Sequence, residues 1–405
     1  MAERSILVVA VDGLRAAALG AYGNTAFGTP ALDQLAAESF LFDSCLAPAA
    51  ELPPIYRALW ESKHSLRMDD AVTGTGGESG TPVSLPTLLG ERGYETTLVT
   101  DAAEVAVLRA ASFAECVQLS GDAGTRAEDV SETALARLVT DACDVVASPN
   151  GAPQLVWVHA RGMYGPWDAP LEMQESLLDE GDPPPVEDVA PPNLAIEAAD
   201  GPDTAFRYGV AYAAQVMVLD ACWEALRDAV ASNGGEWLVV LMGVRGFPLG
   251  EHQRVGGVDG RLFADQLHVP WLMRYPDGTG RLGRCGRLVS PLDLLPTLAE
   301  WTDSASGTEL ARCDGRSVLP LVRSAKSSWR DSLLSSNGAT GELAIRTPDW
   351  SLRFADGADS GELFVRPDDR WEANDVAGLC PDVVEELITT AKDAAARIRG
   401  GEDIS

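Results

Sequence analysis

The sequence predicts an α/β protein built on one large, mostly parallel, doubly wound sheet. Residues 6–11 form a continuous apolar run, which is typical of a central parallel strand covered on both faces. Segments rich in β-branched residues then alternate with helical patterns, as in βαβ units. The predicted strands lie at 96–99, 155–158, 237–241 and 269–274, and the predicted helices at 128–148, 206–230 and 292–302.

The pattern changes after about residue 320, where short strand-like segments are separated by turn residues. A final amphipathic helix is predicted over 381–398. We therefore expect a main α/β domain over 1–325 and a small C-terminal α+β subdomain, an antiparallel sheet with a helix, over 326–405. The short strands are expected at 343–346, 351–354 and 363–366.

Residues 176–204 are rich in proline and acidic residues and show neither helical nor strand periodicity. We expect a surface loop or partly disordered insertion in the main domain, and a weaker hypothesis makes it a partner-binding segment.

The charge and the apolar content limit the partners. The chain has 31 basic and 61 acidic residues, a formal net charge of −30, and such a field repels nucleic acid and anionic lipid. No apolar stretch approaches the roughly 18 residues needed to span a membrane. The N-terminal run lacks the features of a signal peptide.

The seven scattered cysteines contain no C-x-x-C motif, so we expect free thiols in a cytoplasmic protein.

Asp12 follows the first predicted strand directly. Open α/β sheets bind ligands at the carboxyl ends of their strands, so the position of Asp12 makes it a candidate site residue.

Motifs along most of the chain resemble, in order, those of the sulfatase family of the alkaline-phosphatase superfamily. The opening Val11-Asp-Gly-Leu-Arg and the later Thr-Pro-Ala-Leu-Asp-Gln-Leu-Ala run are similar to the family's first strand and helix. Further similar segments lie at 57–64, 92–99, 165–170, 249–252, 268–276, 290–297, 314–321 and 345–350. The resemblance implies the alkaline-phosphatase-like fold and a sulfuric ester hydrolase of the arylsulfatase type.

The family's nucleophile is a formylglycine made from a cysteine or serine in a C-x-P-x-R arrangement. Alignment on Arg57 puts that position at Pro53, and alignment on Pro54 puts it at Leu52. Neither side chain has a nucleophilic atom.

In the family a divalent cation, usually calcium, is bound by two aspartates after the first strand. An aspartate and a neighbouring asparagine or histidine after a later strand complete the ligand set. These positions align with Asp12, Gly13, Val244 and Arg245, so one carboxylate ligand remains. Calcium takes roughly six to eight oxygen ligands. We therefore expect no bound cofactor, with calcium as the metal if any is bound. Arg245 is expected to pair with Asp12 at the place of the cation, the alternative being a solvated loop residue.

The remaining catalytic positions are also changed. The family's lysine aligns with Asp101 and its histidine with Tyr164, whereas His159 matches an upstream strand end and is expected to be structural. Arg57 is retained as a residual contact for an anion, unless it pairs with an acid such as Asp12 or Asp101.

These substitutions predict a catalytically inactive binding or regulatory homologue. Its partner would be a small anionic ester or another protein, with no nucleic acid and no membrane span. The alternative is an active hydrolase of sulfate or phosphate esters with a non-standard site made of Asp12, Arg57, Asp101 and Tyr164.

Overall fold

The computed structural model describes residues 4–67, 84–108, 112–119, 124–148, 151–197, 201–304, 310–324 and 328–402. Contacts divide the chain into two compact units. The first unit comprises Met1–Asp43, Gly93–Gly257 and His268–Cys285, and the second comprises Ser44–Arg92, Val258–Leu267 and Gly286–Ser405. The boundary expected at residue 325 stays a prediction.

The predicted large sheet is confirmed and has eight strands in the described part of the chain. In order across the sheet the strands are β10 (Gly283–Val289), β2 (Phe40–Leu46), β9 (His268–Arg274), β7 (Glu236–Gly243), β1 (Arg4–Val11), β5 (Gln154–Ala160), β3 (Glu95–Thr100) and β4 (Glu115–Gln118). The central strands are parallel, because β1 pairs in parallel with β5 and β7, and β3 pairs in parallel with β4 and β5. One neighbour, β9, runs antiparallel to β7.

The register of the central strands brings their carboxyl ends to one edge. Val11 lies opposite both Ala160 and Gly243, so the residues that follow β1, β5 and β7 start at the same level. Residues 6–11 are at most 5% exposed, which agrees with a strand covered on both faces.

Helices and a two-stranded ribbon complete the first unit. The long helix Gly201–Asn233 packs against the helix Ala134–Ala147. Apolar side chains of both helices join those of the sheet in one core cluster. The helices are α1 (Pro30–Glu38), α4 (Ala103–Leu108), α5 (Ala134–Ala147), α6 (Leu171–Glu175) and α7 (Gly201–Asn233), and the ribbon is β6 (Asn193–Ala195) with β8 (Arg254–Gly256).

The second unit contains the predicted small antiparallel sheet, with the strands ordered β11-β12-β13-β14. The last helix covers one face of this sheet with Val384, Leu387, Ile388 and Ala391. The strands are β11 (Leu333–Asn337), β12 (Glu342–Arg346), β13 (Trp350–Ala355) and β14 (Glu362–Val365). The helices are α2 (Leu52–Glu61), α3 (Leu85–Gly90), α8 (Ala264–Leu267), α9 (Leu294–Trp301), α10 (Leu319–Arg323) and α11 (Pro381–Arg399).

The segment 176–204 has little regular structure in its described part, apart from β6 and the first residues of α7. Its middle is fixed by side chains of the first unit. The Gln174 amide bonds the backbone N–H and carbonyl of Val186, and Arg126 donates to the same carbonyl. Residues 198–200 lie outside the described part.

Two further observations concern the cysteines and the predicted absence of a membrane span. Four of the seven cysteines are buried, namely Cys45, Cys222, Cys285 and Cys313. Within the described residues, no helix combines the length and apolarity required to cross a membrane.

Asp293 and Arg330 form a buried ion pair in the second unit. The Arg330 Nη1 and Nη2 atoms lie 2.6 and 2.7 Å from the two carboxylate oxygens, and Asp293 is fully buried. Breaking such a pair leaves an uncompensated buried charge, so we predict that Arg330→Met lowers the free energy of unfolding by about 3–5 kcal/mol. Urea titration measures it.

The matched control is Arg323→Met, which removes an exposed pair with Glu300 at 3.7 Å. Exposed pairs contribute less than about 1 kcal/mol. If Arg323→Met and Arg330→Met lowered the free energy of unfolding equally, burial would not determine how much these ion pairs stabilise the fold.

His64 gives the second unit a pH dependence. Its Nδ1 accepts from the Leu66 N–H at 3.1 Å, so Nε2 carries the proton and donates to the Leu334 carbonyl at 2.9 Å. Burial lowers the pKa of this imidazole, whereas Asp314 and the bond to Leu334 act in the opposite direction. A lowered pKa means that the unfolded chain binds the proton first, so stability is lost as the pH falls below about 6.5.

We predict that His64→Gln flattens the decline of unfolding free energy between about pH 7 and pH 5, by at most about 1.4 kcal/mol per pH unit. Chemical unfolding at several pH values measures how the unfolding free energy changes with pH in the wild type and in the variant. Parallel curves for the variant and the wild type would rule out this contribution.

Candidate active site

The residues after three neighbouring strands are bonded to one another through their backbones. The Asp12 N–H donates to the Ala160 carbonyl, and the Val244 N–H donates to the Val11 carbonyl, both at 2.9 Å. The Met163 N–H donates to the Asp12 carbonyl at 2.9 Å. The strand ends of β1, β5 and β7 therefore form one fixed cluster.

Arg245 holds the carboxylate of Asp12 with two parallel hydrogen bonds. Its Nε lies 2.8 Å from Oδ1 and its Nη2 lies 2.9 Å from Oδ2. The side chains are 11% and 2% exposed. The expected ion pair is confirmed, and the alternative of a solvated loop arginine is wrong. A planar guanidinium suits this geometry because its donors match the spacing of the carboxylate oxygens.

Tyr164 covers the same guanidinium. The Arg245 Cζ lies 4.2 Å from the centre of the Tyr164 ring, within the range of a cation–π contact. The Tyr164 hydroxyl donates toward the carbonyls of Gly246 and Gly257, at 3.2 and 3.4 Å. Phe247 packs against the ring with the centroids 4.9 Å apart.

Burial and the opposite charge of the partner both shift the pKa values of Asp12 and Arg245. Burial raises the pKa of Asp12, although the charge and hydrogen bonds of Arg245 act to lower it. Burial disfavours the charged guanidinium of Arg245, but the charge and hydrogen bonds of Asp12, together with Tyr164 and Glu104, raise its pKa overall. Arg245 is therefore a permanent cation at this strand end.

Gly13 lies where the resemblance implies a second aspartate, and its surroundings are closed. Its φ is +78°, a left-handed conformation that favours glycine. A Cβ at this position would lie 2.7 Å from the Cβ of Met163 and 3.2 Å from the Tyr164 ring. Gly162 packs equally closely, since a Cβ there would lie 2.5 Å from the Asp12 carbonyl oxygen. The turn 162–164 thus occupies the space beside Asp12.

The residues at the four metal-site positions do not fit a calcium ion. Gly13 has no side chain, Val244 is apolar and fully buried, and Arg245 is a cation. Asp12 alone offers carboxylate oxygens, and both are engaged by Arg245. No group of three or more His, Cys, Asp or Glu side chains in the described ranges could hold a metal ion. Calcium requires more converging oxygens than this set supplies.

Asp101 follows β3 and has its own arginine. It accepts from the Arg161 N–H at 2.8 Å and from the Arg161 Nε at 3.4 Å. Burial raises the pKa of Asp101, and the contacts with Arg161 oppose that rise.

His159 is fully buried on β5, where burial and the neighbouring arginines lower its pKa to about 3. It is therefore neutral at physiological pH.

Pro53 and Arg57 lie in the second unit on α2. Pro53 is in the first turn, where proline is favoured, and its neighbour Leu52 is buried. Arg57 donates to the Arg67 carbonyl at 3.1 Å and lies 3.7 Å from the Glu61 carboxylate on the next turn.

The structure thus brings Asp12, Gly13, Tyr164, Val244 and Arg245 together, while Asp101 lies at an adjacent strand end. Sequence reasoning missed Arg161 and Met163. The signal for the latter was Gly162, because a glycine after a strand permits a close approach of two backbones.

A second arginine pair lies beside the site and was also missed. The Arg15 Nη2 lies 2.5 Å from the Glu251 carboxylate, and the Arg15 N–H donates to the Tyr212 hydroxyl at 3.1 Å. That hydroxyl in turn donates to the Gly13 carbonyl at 2.9 Å. Arg15 and Tyr212 therefore fix the turn that carries Asp12.

Solved structures with the same fold are numerous. A protein in complex with its substrate, D-glucosamine-2-N,6-O-disulfate, is 17% identical with a TM-score of 0.77, and the match covers 98% of each chain. A phosphonate monoester hydrolase of Agrobacterium radiobacter is 16% identical with a TM-score of 0.77, covering 98% of this chain and 95% of that one. A putative sulfatase from Bacteroides fragilis is 16% identical with a TM-score of 0.76, covering 98% and 96%. At these identities the likeness shows the fold.

No curated protein matches the chain. The family model described as Sulfatase matches residues 4–304, which is well over half of the 405 residues. The chain belongs to the sulfatase family.

Proposed function

We propose that this sulfatase-family chain is a catalytically inactive homologue that binds a partner or regulates without hydrolysing esters. The observation that carries the proposal is the chemistry of the segment before Arg57. Between Cys45 and Tyr56 the chain has no cysteine, serine or threonine. An error of a few residues in the alignment on Arg57 therefore supplies no precursor for a formylglycine nucleophile.

Two nearby candidates do not replace the nucleophile. Cys45 is buried, and burial raises the pKa of its thiol well above the usual value, which disfavours the reactive thiolate. The Tyr56 ring is 1% exposed and packs against Trp60 with the centroids 4.5 Å apart.

The first unit supports the same proposal. The lysine that binds sulfate oxygens in the family is replaced by Asp101, whose ionised carboxylate has no proton to donate to a sulfate oxygen. The carboxylates of Asp12 and Asp101 each bond to an arginine, and the Tyr164 hydroxyl donates to main-chain carbonyls. These groups are engaged in structural contacts in the arrangement observed.

The fold favours a ligand at the strand ends, and the neighbours with this fold include a protein bound to a disulfated sugar. We therefore propose a small anionic ester or a protein as the partner. The alternative is an active ester hydrolase with a non-standard site, and the presence of a phosphonate monoester hydrolase among the neighbours gives it a concrete substrate class.

We predict no turnover of 4-nitrophenyl sulfate, phosphate or a phosphonate monoester above background, with EDTA, calcium or manganese present. Loss of a nucleophile alone reduces turnover on the order of 10⁶-fold in a well-studied protease, so retained residues do not restore the mechanism. The assay follows release of 4-nitrophenol by purified protein. Asp12→Asn, prepared in parallel, measures the background from contaminating hydrolases.

Turnover by the wild type that the Asp12→Asn variant lacks would overturn the inactive assignment. It would favour the non-standard site, and Arg57→Met and Asp101→Asn would then identify its members.

We also predict that the purified protein carries far less than one equivalent of calcium, magnesium, manganese or zinc. The physical reason is the single carboxylate at the four metal positions, which Arg245 neutralises. Elemental analysis by mass spectrometry after dialysis against a metal-containing buffer measures the content. A stoichiometric divalent ion that is absent from Asp12→Asn would contradict the ligand assignment.

A further inference from the structure

We infer that the guanidinium of Arg245 serves as a tethered cation at the strand ends and that Tyr164 is the residue that positions it. The inference rests on the proposed loss of the metal site and goes further, because it assigns the charge of the lost ion to one side chain and the support of that charge to another. Four observations carry it.

The first observation is the burial of Asp12. The residue is 1% exposed, and a buried carboxylate is stable only when a cation and hydrogen bonds compensate for its lost hydration. Both of its oxygens accept from Arg245. The pair meets the electrostatic requirement that a bound divalent ion meets in the family.

The second observation is the backbone placement of both partners. Asp12 and Arg245 follow strands β1 and β7, which pair in register up to Val11 and Gly243. The N–H of Val244 is bonded to the Val11 carbonyl, so the two side chains start from fixed and adjacent positions. Formation of the ion pair therefore costs side-chain rotamer freedom and no further backbone freedom.

The third observation is the cover over the guanidinium. The ring face of Tyr164 lies 4.2 Å from the Arg245 Cζ, and its hydroxyl is anchored on the carbonyls of Gly246 and Gly257. Phe247 supports the ring. A guanidinium is weakly hydrated and stacks well on aromatic rings, which a divalent ion does not.

The fourth observation is the closed space around Gly13. A Cβ at Gly13 would lie 2.7 Å from the Met163 Cβ and 3.2 Å from the Tyr164 ring, and the φ of +78° disfavours any side chain there. A second carboxylate therefore does not fit this turn. The strand ends hold their shape without calcium, and changes in calcium concentration leave them unaltered.

The test uses Arg245→Ala in the full chain, because the substitution leaves Asp12 beside a cavity with the outline of a guanidinium. We expect a fall in Tm on the order of 5–10 °C. Millimolar guanidinium chloride should raise the Tm of this variant above its value in sodium chloride at equal ionic strength, since a ligand that binds the folded state stabilises it. Millimolar calcium should leave the wild-type Tm unchanged.

The matched control is Arg284→Ala, whose side chain is 58% exposed and pairs with Asp43 at the surface. Its removal creates no enclosed cavity, so guanidinium should not raise its Tm. The double variant Arg245→Ala with Tyr164→Ala tests the positioning role, and the guanidinium effect should be lost or greatly reduced in it. Rescue of equal size with and without Tyr164 would overturn that role.

Three results would overturn the tethered cation. They are an unchanged Tm in Arg245→Ala, equal guanidinium effects in Arg245→Ala and Arg284→Ala, and a calcium-dependent rise in the wild-type Tm. If Arg245→Ala fails to fold, Arg245→Lys and Arg245→Met replace it, and the lysine variant should have the higher Tm. The reverse order would also overturn the inference. Ester hydrolysis by the wild type would refute the proposed function without changing these Tm results.

Discussion

The ion pair between the buried carboxylate of Asp12 and the guanidinium of Arg245 organises the site. Asp12 follows the central strand of the sheet and is almost completely buried, so its ionised form requires an opposite charge within hydrogen-bonding distance. Arg245 supplies that charge from the adjacent strand end. The Tyr164 ring covers the guanidinium of Arg245, and the turn at Gly13 is closed by Met163 and Tyr164.

The same solution recurs around the site. Asp101 pairs with Arg161, and Glu251 pairs with Arg15. Burial opposes ionisation of Glu251, but the charge and hydrogen bonds of Arg15 lower its pKa overall. In a chain with a net charge of −30, each of these carboxylates is thus neutralised by its own arginine. Pairwise neutralisation needs no convergence of acids on one point, which is the arrangement that a calcium site requires.

Part of this arrangement is predictable from the sequence. The apolar run 6–11 places Asp12 at the carboxyl end of a strand, whereas the pairing of Asp12 with Arg245 is expected only from the alignment with the sulfatase family. The strands 6–11 and 237–241 were evident from their apolar runs. The final helix and the short strands from residue 343 onward were equally readable from their periodicity.

The parts that sequence did not reveal depend on tertiary contacts. Strand β11 was missed because its Ser335, Ser336 and Asn337 are polar, yet they are buried through hydrogen bonds to Ala47, Ser65 and Gly260. The approach of Met163 to Gly13 depends on a positive φ and on the turn after β5, neither of which has a sequence period. Asp101 was placed by alignment, but its partner Arg161 is 60 residues away in the chain.

Whether an arginine or a metal ion compensates the charge of Asp12 can be decided by a crystal structure of the wild-type protein. The crystals would be grown with millimolar calcium, and again with manganese for its anomalous signal. We expect the Arg245 guanidinium within hydrogen-bonding distance of both Asp12 oxygens and no anomalous peak beside them. A metal ion bound to Asp12 with Arg245 displaced would contradict this expectation.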